Sequence, residues 1–274
     1  MEAHSDTPES LEIRDAGYGD PYLNLALEED LFRRCPDHTI RLLFYRNAPA
    51  VIFGRNQNPW IECDMDACLS RHVALVRRIS GGGTVFHDRG NLNYSFSMPR
   101  SYYDPRRFVG IVVQALECLG VPASACARHS VWIGGQKVSG TAFMLTGQRA
   151  LLHGCILVNS DIALLHQVLR SPGRLLHTHG VPSVRAEVTC LADAHPQVTP
   201  ERLAEAISQA TATVLQPRVR RALPPESAHH ATVAEYHARQ ISTAWILGRT
   251  ATFSHTLSLG EGRGCRLDVE HGIV

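Results

Sequence analysis

Two stretches of the chain carry residues that could do chemistry together. Arg77-Arg78-Ile79-Ser80-Gly81-Gly82-Gly83-Thr84-Val85 sets two guanidinium groups ahead of three consecutive glycines. Glycines let successive backbone N–H groups close on one anion, and a guanidinium offers a planar donor fork to phosphate or carboxylate. No Gly-Lys-Ser/Thr follows, so this is not a Walker-type phosphate loop. A strand-like run rather than a helix follows the glycines, so it is not a dinucleotide fingerprint either. Taken alone, the loop reads equally well as a tight turn between strands. The second stretch is Gln136-Lys137-Val138-Ser139-Gly140-Thr141-Ala142. Of 27 basic residues, 26 are Arg and only Lys137 is Lys. Compositional bias accounts for the arginines. A compact ammonium, however, suits a developing oxyanion better than a bulky guanidinium fork does.

The elements that must hold these groups can be read from patterning. Asp20-Pro21, Asp104-Pro105 and Thr199-Pro200 are helix starts, a capping side chain followed by proline at the first helical position. The first helix is expected to run to about Arg34. The second carries Phe108, Ile111, Val112, Ala115 and Leu116 on one face and closes at Gly120, and the third buries Leu203, Ile207 and Ala210. Short helices are expected at 64–71 and after Asp161. Strands are expected at 39–46, 50–54, 73–79, 84–87, 91–98 and 151–158. Two more, at 250–259 and 265–269, would be joined through Gly260-Glu261-Gly262-Arg263-Gly264. Val131–Ile133, Gly134-Gly135 and the following run read as a two-residue hairpin that carries Lys137 just past its turn. Residues 216–231, rich in Pro, Arg and His, read as a loop or boundary. Hairpin-connected strands outnumber helices, so the expected fold class is α+β: a mixed, largely antiparallel sheet flanked by helices.

Composition narrows the function classes. The chain has 274 residues, 44% of them hydrophobic, and a net charge of +1. That balance points to no nucleic-acid or membrane-surface field. No apolar run reaches membrane-spanning length. The N-terminal Met-Glu-Ala-His-Ser-Asp reads as neither a secretory signal nor a mitochondrial presequence, so a cytoplasmic location is expected, with mitochondria the alternative. The eight cysteines show no CxxC pair and are expected to be reduced thiols.

In sequence order, several motifs resemble the lipoate–protein ligase A and lipoyltransferase family, within the larger group that includes biotin–protein ligases. They are Asn24-Leu25-Ala26-Leu27-Glu28-Glu29, Gly54-Arg55-Asn56-Gln57-Asn58-Pro59-Trp60-Ile61-Glu62-Cys63, the Arg77–Phe96 block and Lys137–Ala142. His153-Gly154-Cys155-Ile156-Leu157 with Asp161, and Ser183-Val184-Arg185 with Val188-Thr189, complete the set. The resemblance implies the catalytic-domain fold of that group. It implies an ATP-dependent, AMP-forming lipoate–protein ligase or a lipoyl-AMP:protein lipoyltransferase. The acceptor would be one lysine of the lipoyl domains of 2-oxoacid dehydrogenase E2 subunits or of the glycine-cleavage H protein. ATP, Mg²⁺ and lipoate or lipoyl-AMP are the implied cofactors and substrates, with no metal ligand assigned. By motif matching, Arg78 and Gly83-Thr84-Val85-Phe86 would hold the nucleotide, with Gly81 and Gly82 shaping the loop. Lys137 would touch both the lipoyl carbonyl and the phosphate. His87, Asn91 and His153 are further candidates.

The chain departs from the family pattern in three places. His129-Ser130 stands where Asn-Asp is common before the lysine hairpin, and Leu152-His153-Gly154 replaces His-His-Gly. The sequence also stops at Val274, so residues 1–246 are expected to form the catalytic domain and 247–274 the start of an incomplete C-terminal accessory domain. These departures favour transfer from preformed lipoyl-AMP over the complete ligase reaction. Two other readings are an octanoyltransferase working through a Cys thioester, with Cys126 the candidate thiol, and a catalytically silent binder of lipoyl domains.

Overall fold

Residues 7–170, 176–178, 180–225, 230–260 and 263–273 are described by a computed structural model. In chain order the elements are strand β1 (Ser10–Gly19), helix α1 (Pro21–Arg33), β2 (Thr39–Asn47), β3 (Ala50–Phe53), α2 (Pro59–Glu62) and α3 (Met65–Ser70). Next come β4 (Ala74–Arg77), β5 (Val85–His87), β6 (Asn91–Pro99), α4 (Pro105–Cys118), β7 (Ser124–Ala125), β8 (Val131–Ile133) and β9 (Gln136–Leu145). Then follow β10 (Arg149–Leu157), α5 (Ile162–Val168), β11 (Leu176–Thr178), α6 (Leu191–Ala194) and α7 (Pro200–Leu215). The last are β12 (Val219–Ala222), α8 (His230–Gln240), α9 (Thr243–Ile246), β13 (Phe253–Gly260) and β14 (Arg263–Val269).

The three proline-led helices begin where their caps predict. The Asp20 side chain accepts from Tyr22 N, Asp104 from Arg106 N and Arg107 N, and Thr199 from Arg202 N. Each such cap satisfies an end N–H that the helix cannot pair itself, worth about 1 kcal/mol. Helices α4 and α7 lay their apolar stripes on one face of an eight-stranded sheet ordered β12-β1-β2-β6-β10-β9-β8-β7. Alternation along the central strands supplies that face: Leu42 and Phe44, then Tyr94 and Phe96, then Leu152 and Ile156. The opposite face presents Leu43 and Tyr45, Asn93 and Ser95, and His153 and Cys155. Leu25, Leu27 and Leu31 of α1 pack on it.

The sheet is mixed, as expected: β1 runs parallel to both β2 and β12, and its other pairings are antiparallel. Two three-stranded sheets, β4-β3-β5 and β11-β13-β14, stand beside it. The expected strands 39–46 and 50–54 fall in different sheets. Besides the short elements α2, β7, β11, α6 and α9, the sequence reading missed β1, α8 and β12. Strand β1 has no clean alternation, α8 lacks a cap signal, and β12 lies inside the expected 216–231 loop. All four residues of β12 are exposed, so backbone pairing with β1 is what defines that strand.

Helices α1, α8 and α9 are tied through Glu29, which accepts from Arg33 Nε at 2.7 Å and from Arg239. The Arg239 guanidinium lies 4.5 Å from the Trp245 ring centre. No helix among the described residues is long and apolar enough to cross a membrane. All eight cysteines are free thiols. The expected Glu261-Gly262 turn, Val274 and the first six residues lie outside the described residues.

Candidate active site

Lys137 is placed by a turn, a strand and a strap. Gly134 and Gly135 take φ of 53° and 83°, the paired positive values of a two-residue hairpin turn that side chains resist. Lys137 then pairs across the hairpin with Trp132. On its other side the segment 180–189 crosses as a strap: Lys137 N donates to Glu187 O at 2.9 Å, and Thr189 N donates to Lys137 O at 3.2 Å. Three residues on, Gly140 leaves open the space above the strand where the ammonium lies. No carboxylate among the described residues pairs with the half-buried Lys137.

The glycine loop is braced from within. Arg78 is buried and turns its guanidinium onto the loop itself: Nη2 donates to Gly81 O at 2.6 Å and Gly83 O at 2.7 Å, and Nη1 to Ile52 O at 3.1 Å. Its Nε donates to Ser80 Oγ at 3.0 Å. Gly82 has φ 86°, and a β-carbon there would crowd Arg78 Nη2 at 2.9 Å. Ser80 Oγ meets His153 Nε2 at 2.7 Å, while His153 Nδ1–H donates to the buried Glu28 carboxylate at 2.9 Å. Glu28 also accepts from Tyr45 OH at 3.2 Å. Loop, central strand and α1 are thereby locked together.

A second knot holds the strap. Gln57 Oε1 accepts from Gly54 N and from Thr84 Oγ1, both at 2.8 Å, while its Nε2 donates to Ser183 Oγ at 2.9 Å. Ser183 donates its N–H to Glu62 Oε1 at 3.1 Å and its hydroxyl to Glu62 Oε2. Beneath these, Arg77 is fully buried and gives N–H groups to the carbonyls of Gly54, Arg55 and Gln57, to those of Trp245 and Ile246, and to Thr250 Oγ1.

Two cavities meet at Lys137. One, of ≈ 440 Å³, has an apolar wall from Phe86, Leu157, Leu165, Leu169 and Val188, with Arg170 and Arg185 also lining it. The other, of ≈ 360 Å³, is lined by Leu25, Tyr45, Ile52, His87, Asn93 and His153. They share Thr84, Val85, Lys137, Gly140, Cys155 and the strap residues 182–184. In the second cavity a row of cross-strand partners, Gly140, Cys155, Asn93 and Tyr45, runs from β9 to β2. Strands lie about 4.8 Å apart, so Tyr45 stands about 14 Å across the sheet from Gly140. That is the reach of a medium-length acyl chain with its carbonyl at Lys137.

Burial sets the charges here. The buried His87 has its pKa pushed down to about 3, chiefly by desolvation and then by Arg78 and His153, so its imidazole is neutral. Desolvation also lowers Arg78, to about 10, which still leaves it a cation at neutral pH. Burial pushes the Cys155 thiol up against the pull of the Lys137 ammonium, so it stays protonated. Cys126 is exposed and lines neither cavity. Among the described residues Glu62 is the only carboxylate lining either cavity, and Ser183 donates to both its oxygens. Nor is any group of three or more His, Cys, Asp or Glu side chains among the described residues placed to hold a metal. These residues do not fit a protein-held Mg²⁺.

Residues 20–212 match the family model described as the lipoyl protein ligase A/B catalytic domain. The chain belongs to that family. Solved structures share its fold. P. falciparum LipL1, solved with lipoate, superposes with a TM-score of 0.75 at 21% identity, covering 94% of this chain and 84% of that one. A bipartite lipoate protein ligase from Thermoplasma acidophilum, described together with its E2 lipoyl domain, gives 0.75 at 24% identity over 89% and 98%. A lipoate-protein ligase A bound with ATP gives 0.70 at 23% over 84% and 94%. The lipoate–protein ligase catalytic-domain fold expected from the sequence is thus the observed one.

Within this lipoyl-ligase fold the residues named from sequence are brought together unevenly. Lys137, Thr84 and Val85 line both cavities; Phe86 lines the first, and Arg78, Gly82, Gly83, His87 and His153 line the second. Gly81 and the fully buried Asn91 line neither. Arg78, expected at the nucleotide, gives its N–H groups to the carbonyls of Gly81 and Gly83 in the loop, to Ser80 Oγ and to Ile52 O of β3. Sequence reasoning missed Tyr45, Asn93, Gln57 and Glu62. Gln57, Glu62 and Asn93 sat inside quoted motifs without being singled out; Tyr45 lay outside them all.

Proposed function

We propose that this chain transfers a lipoyl group from lipoyl-AMP to a lysine of lipoyl domains, those of 2-oxoacid dehydrogenase E2 subunits and the glycine-cleavage H protein. One observation carries the reading: an unpaired lysine ammonium stands where two cavities meet, one with an apolar wall and arginines among its lining, the other as long as an acyl chain. The nucleotide occupies the first cavity, its base against Phe86, Leu157 and Leu165. The acyl chain lies along the row from Gly140 to Tyr45. Structures of the same fold solved with lipoate, with ATP and described alongside an E2 lipoyl domain support an acyl site, a nucleotide site and a lipoyl-domain acceptor.

The chemistry follows from charge. The acceptor amine attacks the acyl carbonyl of the mixed anhydride; a C–N bond forms, the acyl C–O bond breaks, and AMP leaves. Negative charge gathers on the carbonyl oxygen and then on the departing phosphate. Lys137 Nζ, unpaired and fixed over Gly140, lies between the two and stabilises both without reorganising. Activation of lipoate with ATP would need phosphate-bound Mg²⁺, for which these residues provide no ready carboxylate, so preformed lipoyl-AMP is the donor in this reading. In this reading residues 1–246 carry the catalytic groups and the segment from 247 on is anchored to them, since Thr250 Oγ1 accepts from Arg77 and β13 pairs with β11.

Purified protein and an apo lipoyl domain decide the matter. Modification is expected with lipoyl-AMP and not with lipoate, ATP and Mg²⁺. Modification in neither arm overturns the reading.

A further inference from the structure

Strand β9 starts paired on both sides and ends paired on one. Residues 136–139 pair with β8, whereas 140–145 pair only with β10. Thr141 Oγ1 donates to His129 O at 2.7 Å, so the chain at His129 covers the start of this outer edge. From Ala142 to Leu145 no strand and no backbone hydrogen bond among the described residues lies on it. Exposure follows: β10 is buried along nearly its whole length, while Phe143 is 49% exposed and Met144 and Leu145 are partly so. Natural sheets blunt a free edge with charge, proline or a bulge, because open N–H and C=O groups template another strand. The run Thr141-Ala142-Phe143-Met144-Leu145-Thr146 has no charge and no proline, and its register with β10 is unbroken. A bare apolar edge of this kind suits a strand supplied from outside.

Position and charge select the occupant. Gly140, Thr141 and Ala142 line the second cavity, so the edge runs straight out of the site. At about 3.3 Å per residue, Phe143 stands about 10 Å along the strand from Gly140, where the Lys137 ammonium lies. A protein that brings an amine to Lys137 can reach this edge with the same segment. Phe143 packs on Tyr103 with ring centres 6.0 Å apart, and the Arg100 guanidinium lies 5.7 Å from the Tyr103 ring centre. Arg100 N donates to Gln148 O, past the far end of β9, and Arg128 lines the cavity at the near end. Neither arginine has a carboxylate partner among the described residues. Asp104, next to Tyr103, is taken up in capping α4. A cation thus stands at each end of an apolar edge.

Two copies of this chain joined edge to edge about a twofold axis would set the Arg100 end of one against the Arg128 end of the other. Such a meeting of like charges works against pairing. An extended segment with carboxylates on either side of an apolar residue instead forms the main-chain bonds, covers Phe143 and pairs both cations. We infer that the free edge of β9, with Phe143 and Tyr103 as its apolar contact, is where the acceptor protein docks, adding an acidic extended segment near its target lysine to the sheet as a transient strand. The inference rests on the protein acceptor assigned under Proposed function.

Amide hydrogen exchange on the intact protein, with and without a saturating apo lipoyl domain, tests it. Amides within 141–146 are expected to exchange about tenfold more slowly in the complex. Phe143→Glu and Arg100→Glu should each raise the KM for the lipoyl domain about tenfold, while lipoyl-AMP binding stays within about twofold. The exchange comparison on wild type stands even if a variant does not fold. Protection confined to other segments, or an unchanged KM in both variants, overturns the docking surface and leaves transfer itself standing. Protection of 141–146 that is present without the domain and fades on dilution identifies a second copy as the occupant and overturns it too. A lipoyl domain that neither binds nor is modified overturns the docking surface and the proposed transfer together.

Discussion

The Lys137 ammonium lies 3.2 Å from where a β-carbon on Gly140 would stand. The glycine thus shapes the position of the charge although it takes no part in the chemistry. Gly140→Ala adds one methyl group beneath a flexible side chain, so the fold survives and the ammonium shifts. Transfer from lipoyl-AMP should fall about tenfold in kcat, with the KM for the lipoyl domain little changed. Single-turnover kinetics read this directly; an unchanged kcat would show that the ammonium does not work from this place.

Lys137→Met keeps length and apolar contact while removing the charge. A group that stabilises charge only in the transition state should cost about 10²–10³-fold in kcat when lost, and little in acceptor binding. Lys137→Arg should recover only a small part, because the larger fork cannot occupy the space over Gly140. Full activity in the Met variant would sink the assignment.

Acid stability should carry the mark of His87. Its folded pKa is pushed down to about 3 from a reference of 6.5. Between those values the unfolded chain binds a proton that the folded chain refuses, so stability rises with pH across that window. The contribution is complete above about 6.5 and is lost as pH falls toward 3, with a limiting slope of about 1.4 kcal/mol per pH unit. Urea unfolding between pH 4.5 and 7 measures it, and His87→Gln should flatten the slope by close to one proton.

Arg77→Met should destabilise the chain by about 3 kcal/mol or more, since it strips donors from six acceptors at once, three of them in buried hydrogen bonds. Thr250→Val removes one of those acceptors and should cost about 1 kcal/mol. Denaturant midpoints with unchanged m-values would check both.

Cys126→Ala should leave transfer within about twofold, because the residue is exposed and outside both cavities. Loss of all activity would instead establish the thioester route.

What could be read in advance followed local chemistry. The Asp-Pro and Thr-Pro pairs announce α1, α4 and α7 because a cap is decided by residues next to one another. The Gly134-Gly135 turn and the placement of Lys137 are local in the same way. Strand β12 was hidden for the opposite reason: Val219–Ala222 buries no side chain, and only its distant partner β1 makes it a strand. The second cavity was hidden likewise. Leu25, Tyr45, Asn93 and His153 come from one helix and three strands, one residue each, and no periodicity gathers them. Arg78 shows the limit of motif reading. Its residue type was informative, yet folding turned the fork inward, where it shapes the loop.

The Arg77 clamp also limits where the chain can be cut. Three of its six acceptors, Trp245 O, Ile246 O and Thr250 Oγ1, belong to the segment after α8. The other three hold the turn at 54–57, on which Gln57 and, through it, the strap depend. A shortened fragment must therefore retain Thr250 to keep a catalytic unit whose strap is still anchored. One trimmed before Trp245 would fold around an arginine with half its anchors gone, its damage surfacing at Ser183, far along the sequence from the cut.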